Sequence, residues 1–256
     1  NNSFPEPVSI GKDTYHVLER SIYFSKVTNG AFDVTVGPLI KLWQDSEKAN
    51  AYPSGDQIKA AQTAVGTGYM QLLDKNQIKL LNKDTKIDLG GIAMGYAIDE
   101  AARIFFEHGI TSFFIDGGGD IYAGGNNCSG NPWRIGIRDP LDKSEIIDVV
   151  ELTDSAVTTS GNYEQYYNIQ NERWSHIMNP VTGYPQKEVV SATFIAPTAI
   201  EADALATALC VLGSEKGTEY TNSLDGQYAS LIIVKRDSDR IEKYFSQEYA
   251  QYFNKP

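Results

Sequence analysis

The chain has 256 residues, 41% of them hydrophobic and 21% charged, and 33 Asp+Glu against 22 Lys+Arg leave a net charge of −11. That acidity argues against a nucleic-acid or anionic-membrane surface, both of which need clustered basic side chains. The length allows one large domain or two lobes sharing a core, and an anionic ligand would need positive charge supplied locally, by helix N-termini or a metal ion.

From the amino terminus, Val17, Leu18, Ile22 and Val27 give "KDTYHVLERSIYFSKVTNG" helical spacing, with Asn29-Gly30 as its stop. In "GAFDVTVGPLIKLW", Pro38 is expected to end an extended piece. "PSGDQIKAAQTAVG" offers Ser54 as N-cap with Gln57 completing a capping box. "YMQLL" and "QIKLL" read as a hairpin turning at Asp74-Lys75-Asn76. After the glycines of "DLGGIAMGYAIDEAARIFFEHGI", a helix carries Ala97, Ile98, Ala101, Ile104 and Phe105 and stops at His108-Gly109. "SFFIDGGGDIYAGG" reads as a buried strand running into a glycine turn. Strands are expected in "WRIGIRD", "IIDVVEL", "YEQYYNI", "WSHIM" and "VVSATFIA". "TAIEADALATALCVLG" is a helix opened by Thr198 with Glu201 as capping-box partner, and "YASLIIVKR" and "IEKYFS" close the chain as strands. Short connections make many neighbouring strands antiparallel, which predicts a mixed α+β protein. No run of about 18 apolar residues occurs.

Familiar signatures fail. "GGGDIY" is not GxGxxG, because Tyr122 stands where glycine is needed, and there is no Walker A, GxSxG or HExxH sequence. Having His16, His108 and His176 as the only histidines argues against a His-rich zinc site. Cys128 lies in a Gly/Asn-rich loop and Cys210 in an apolar run; they have no CxxC spacing, and Cys210 reads as a buried structural thiol. Four stretches carry chemistry. Asp203 and Thr207, four apart on a helix, project two hard oxygens from one face, suited to Mg²⁺ or Ca²⁺, or else serve the helix dipole and the core. Asp88 precedes a glycine pair that lets backbone approach a ligand, or caps the next helix. Phe32 and Asp33 could meet a heterocycle and its ribose, or be a packed ring and a turn carboxylate. His176, ahead of an Asn-Pro-x-Thr-Gly turn, is a catalytic base or a core imidazole.

Taken in order, "GAFDVTVGPLIKLW", "DLGGIAMGYAID", "GGGDIYAGG…WRIGIRDP", "TTSGNYEQYY", "HIMNPVTG" and "ADALATAL" resemble the ApbE-type flavin transferases (FAD:protein FMN transferase) and span residues 30–209. The resemblance implies an α+β fold of largely antiparallel sheets with packed helices, two-lobed with the FAD site between the lobes, as one domain over residues 1–256. It implies Mg²⁺-dependent cleavage of FAD and transfer of FMN, by a phosphoester, to a threonine in a Ser/Thr-Gly-Ala-Thr/Ser type motif of an acceptor protein, with AMP leaving. By position, Asp203, Thr207 and the Gly91 carbonyl would hold Mg²⁺. Ala31, Phe32, Asp33, Asp88, Met94 and Ile177 would contact FAD, and His176 would act on the acceptor hydroxyl. A free imidazole, with pKa about 6.5, suits that task. The rivals are an FAD pyrophosphatase releasing FMN and AMP, in which water replaces the threonine, and a flavin-binding module without turnover. The family also implies an extracytoplasmic lipoprotein, attached to the membrane through an N-terminal anchor. Departures are Met94 where Lys or Glu is common, Asn179 for Asp and Val181 for Arg. The family's N-terminal Met-Gly-Thr strand and its following Tyr find no counterpart, so the chain is expected to lack that region.

Overall fold

The computed structural model describes residues 1, 4–142, 144–162, 165–236 and 240–252. In chain order come β1 (Val8–Ser9), α1 (Lys12–Val27), α2 (Gly37–Ala49), α3 (Gly55–Gln62), β2 (Met70–Leu73), β3 (Gln77–Leu80) and α4 (Ala93–Glu107). There follow β4 (Phe113–Asp116), β5 (Ile121–Gly124), β6 (Trp133–Arg138), β7 (Ile146–Leu152), β8 (Ser155–Gly161), β9 (Tyr166–Ile169) and β10 (Glu172–Ser175). β11 (Val189–Ala196), α5 (Ala199–Leu212), α6 (Ser214–Asn222), β12 (Ala229–Lys235) and β13 (Ile241–Phe245) complete the order. Every strand pair in the named ladders is antiparallel, so the α+β expectation holds. The chain divides into two compact units, Asn1–Gly91 with Glu164–Lys187, and Ile92–Tyr163 with Glu188–Pro256.

In the first unit, β1-β3-β2 and β10-β9 form two small sheets. Its core gathers Leu39 and Trp43 of α2 around Tyr167, Ile169, Trp174 and Met178. The Trp43 and Trp174 rings lie 5.0 Å apart. The Ser54/Gln57 capping box forms as the sequence predicts, with Gln57 N–H donating to Ser54 Oγ at 3.3 Å and Ser54 N–H to Gln57 Oε1 at 2.8 Å. Pro38 does not end an extended piece. It sits in the first turn of α2, where a missing N–H has no intrahelical partner to lose and a fixed φ favours the helix.

The second unit is built on a six-stranded sheet in the order β13-β12-β11-β8-β5-β4. Val157 of β8 pairs with Ile195 of β11, and both join Ile135, Val150, Leu231 and Ile233 in one apolar cluster. α5 packs against β8 and β11 and is buried on nearly all sides, as a helix apolar all round must be. β4 is an edge strand with Phe114 40% exposed, which corrects the buried strand expected for "SFFID". Central β8 was not anticipated, because its Ser/Thr/Gly sequence carries no apolar alternation. Both cysteines are free, and burial pushes the Cys210 thiol up to about 12. Tyr163 and Glu164, which begin the expected strand "YEQYYNI" and fall within "TTSGNYEQYY", lie outside the described residues.

Candidate active-site residues in the two units

His176 follows β10 directly instead of lying within a strand, as "WSHIM" had implied. Its main-chain N–H and its ring Nδ1 both reach the Gln165 carbonyl, at 3.4 and 3.0 Å. A carbonyl only accepts, so Nδ1 carries the hydrogen in this contact. The segment beyond is braced. Ser175 Oγ accepts from Ile177 N–H at 3.0 Å and from Gln186 Nε2 at 3.5 Å, while Gln186 N–H donates to the Ile177 carbonyl at 2.9 Å. Ile177 is buried, so its side chain belongs to this support.

The turn itself is held from within and from without. Asn179 Oδ1 accepts from the N–H groups of Val181 and Thr182, at 2.9 and 3.1 Å. Asparagine supplies the acceptor that an aspartate would, which is why that departure leaves the turn intact. Gly183 has φ +74, and a Cβ there would stand 2.4 Å from Ile58 Cγ2. Gln62 Nε2 donates to the Val181 carbonyl at 2.7 Å and Trp43 Nε1 to the Gly183 carbonyl at 3.0 Å. The histidine therefore stands on a fixed platform.

The same unit carries residues 31–33 and Asp88. Asp88 N–H donates to the Val34 carbonyl at 2.7 Å, which sets the two segments side by side. Phe32 is 3% exposed, with its ring edge-on to Phe24, and its N–H bonds Thr28 Oγ1 at 3.1 Å. The ring and the neighbouring Ala31 belong to the core, leaving Asp33 as the one polar side chain of the three. Asp33 Oδ1 accepts from Thr35 N–H at 2.7 Å and from the Thr35 hydroxyl. Burial raises its carboxyl, and hydrogen bonds from Thr35 and Thr67 oppose the rise. Asp88 is exposed and accepts from Gly90 N–H at 2.9 Å. It follows Lys86, which makes an isolated parallel bridge to Val36, rather than ending a strand. Gly91 closes this unit.

The second unit carries Met94, Asp203 and Thr207. Asp203 is 4% exposed, and its Oδ2 accepts from Gly95 N–H at 3.1 Å. Helices α4 and α5 touch there so closely that a Cβ on Gly95 would stand 2.3 Å from the Ala199 carbonyl oxygen. Burial pushes the Asp203 carboxyl up to about 8, the charge of Asp120 adds to this, and the Gly95 N–H opposes it. Thr207 Oγ1 lies 3.3 Å from Ser160 Oγ. The glycine turn after β4 is fixed by Asp116 Oδ1, which accepts from Gly118 and Gly119 N–H at 2.9 Å each. A Cβ on Gly117 would stand 3.0 Å from Met94 Sδ, so the turn packs on the start of α4. Met94 remains 45% exposed. Asp120, and Asp99 discussed below, were not singled out by the sequence.

The capping box expected at Thr198 and Glu201 does not form. Thr198 is the N-cap residue of α5 but its hydroxyl makes no capping bond. Asp99 of α4 supplies the acceptors instead, taking Ala199 N–H at 2.7 Å and Ile200 N–H at 2.9 Å.

Among the described residues no group of three or more His, Cys, Asp or Glu side chains is placed to hold a metal ion. A cation at Asp203 and Thr207 would therefore take no more than two such side chains, with neutral oxygens completing its shell. The donor set fits Mg²⁺: both oxygens are hard, and the desolvated Asp203, pressed by Asp120, is stabilised by a divalent charge.

The model of the ApbE family matches residues 1–232. The FAD:protein FMN transferase of Escherichia coli (strain K12) is 33% identical over 255 residues, covering 97% of this chain and 71% of the relative. The Vibrio cholerae (strain O395) protein of the same name is 33% identical over 254 residues, covering 98% and 75%. Among solved structures, flavin transferase ApbE from Vibrio cholerae superposes with a TM-score of 0.84 at 32% identity, over 98% of this chain and 80% of that one. The ApbE protein of Thermotoga maritima gives 0.87 at 34%, over 99% and 82%.

Proposed function

The chain belongs to the ApbE family, and on that premise we propose that it transfers the FMN moiety of FAD to a threonine hydroxyl of an acceptor protein, releasing AMP. The observation that carries the reading is the His176 ring at the Asn-Pro-x-Thr-Gly turn, oriented by its Nδ1 contact with the Gln165 carbonyl at 3.0 Å, so that Nε2 would take the proton. The acceptor hydroxyl gives its proton to Nε2 as its oxygen bonds to the FMN phosphorus. The pyrophosphate P–O bond breaks, and AMP departs with the bridging oxygen. Asp203 and Thr207 would hold Mg²⁺, which when bound neutralises the pyrophosphate and stabilises the leaving phosphate.

Asp33 and Asp88 would hydrogen-bond the hydroxyls of the flavin nucleotide. Holding the His176 turn rigid aligns the base, and alignment is most of what phosphoryl transfer asks of a protein. An acceptor with a Ser/Thr-Gly-Ala-Thr/Ser type motif and an extracytoplasmic location are part of the proposal, supported by the family resemblance. No helix among the described residues is long and apolar enough to cross a membrane.

The test is AMP release from FAD and Mg²⁺, with and without a domain carrying that motif. A transferase releases AMP in step with acceptor and stops when Asp203→Ala is introduced. Equal release without acceptor would make the enzyme a pyrophosphatase, and full activity of Asp203→Ala would remove the metal assignment.

A further inference from the structure

We propose that Asp99 is a positioning residue for the cation ligand Asp203: by capping the first turn of α5 from α4, it fixes where along α4 the Asp203 carboxylate stands. The proposal rests on the reading that Asp203 holds the cation.

The first N–H groups of any helix lack intrahelical partners. In α5 the nearest local acceptor, the Thr198 hydroxyl, is buried without a hydrogen-bond partner and caps nothing. Asp99 fills that role from a different helix, one carboxylate oxygen on Ala199 N–H at 2.7 Å and the other on Ile200 N–H at 2.9 Å. A cap from the preceding loop would secure the helix end to its own loop. A cap from α4 secures it to α4.

The second link runs the other way. One turn before Asp99 on α4, Gly95 donates its N–H to Asp203 Oδ2 at 3.1 Å, one turn after Ala199 on α5. The two bonds thus join residues four apart on each helix, and between them lies the close approach of Gly95 to the Ala199 carbonyl. Gly95 engages Oδ2, so the carboxylate carried by α5 is tied to α4. Sliding or rotating α5 against α4 would break the Gly95 bond and move the carboxylate together. Asp99 opposes that motion. It does so without touching substrate or metal.

The experiment compares wild type with Asp99→Asn, Asp99→Ala and Asp203→Asn. Asparagine keeps the shape and one acceptor oxygen, so it carries the test if the alanine variant does not fold. Two readouts are titrated with Mg²⁺ in the presence of FAD: the rise in thermal midpoint, and the rate of AMP release. For Asp99→Asn, both half-maximal Mg²⁺ concentrations should rise about 10- to 100-fold, the range found when groups supporting a metal ligand are removed. The maximal rate should return at high Mg²⁺, and the KM for FAD should stay put. Wild-type Mg²⁺ dependence in Asp99→Asn, with Asp203→Asn impaired, overturns the positioning role alone. Wild-type dependence in Asp203→Asn removes the cation reading and the proposal with it.

Discussion

The His176 ring is oriented by its Nδ1 contact with the Gln165 carbonyl, and the proposal gives the proton transfer to Nε2. His176→Ala should therefore keep FAD binding and lose transfer by about 10²- to 10⁴-fold, the usual worth of a positioned general base. Flavin fluorescence quenching would report the first and AMP release the second; wild-type transfer would return the imidazole to a structural role. The placement of Asp203 and Thr207 on one helix was legible in the sequence because helical spacing puts residues four apart on one face. The Phe32 ring was not, since an aromatic beside a carboxylate reads the same whether the ring packs inward or faces a ligand. Asp99 was out of reach for a plainer reason. Its partners Ala199 and Ile200 lie 100 and 101 residues away, and no local pattern encodes such a pair.

At the level of elements, the crossing of α4 and α5 is the feature most open to perturbation. Gly95→Ala places a methyl 2.3 Å from the Ala199 carbonyl oxygen, and backbone cannot step aside as a flexible side chain can. Overpacking of this kind costs about 1–3 kcal/mol, so the variant should melt lower, and an unchanged midpoint in a thermal scan would show that the helices separate freely. The same crossing makes stability depend on pH. Burial, opposed by the Ala199 and Ile200 N–H groups and aided by Glu201 and Glu100, raises the Asp99 carboxyl to about 6; Tyr122 also lies within its field. The folded state then binds this proton more tightly than the unfolded chain. Stability from this group is complete at low pH and falls as pH rises from about 4 through about 6, by something on the order of 2 kcal/mol. Urea titrations at the two ends of that window should show the slope in wild type and a flatter one in Asp99→Asn; identical slopes would deny the raised carboxyl. Elements with a strong local signal, the capping box of α3 and the hairpin of β2 and β3, were read from sequence with their turns. α2 is not legible in the sequence because a proline marks the end of an extended piece as readily as the first turn of a helix. β8 was missed because a strand buried in a sheet centre can be made of serine and threonine when neighbours supply the apolar contacts.

Across the whole molecule, the segments that resemble flavin transferases are distributed over both compact units. His176, Asp33 and Asp88 are in the first, and Met94, Asp203 and Thr207 in the second. Long-range bonds anchor the candidate segments within each unit: Asp88 to Val34 and Trp43 to Gly183 in one, Gly95 to Asp203 in the other. The α+β class was legible from the mixture of helical and alternating patterns, whereas the order of six strands in one sheet follows from pairings far apart in the chain. A net charge of −11 also sets a condition on the chemistry, because a pyrophosphate meets that field unaided unless a cation accompanies it. The most direct measurement is the mass of a Ser/Thr-Gly-Ala-Thr acceptor domain after incubation with this protein, FAD and Mg²⁺. A gain of one FMN unit, abolished by EDTA and by His176→Ala, is the predicted result. An unmodified acceptor beside released FMN and AMP, or labelling that persists without His176, would contradict it.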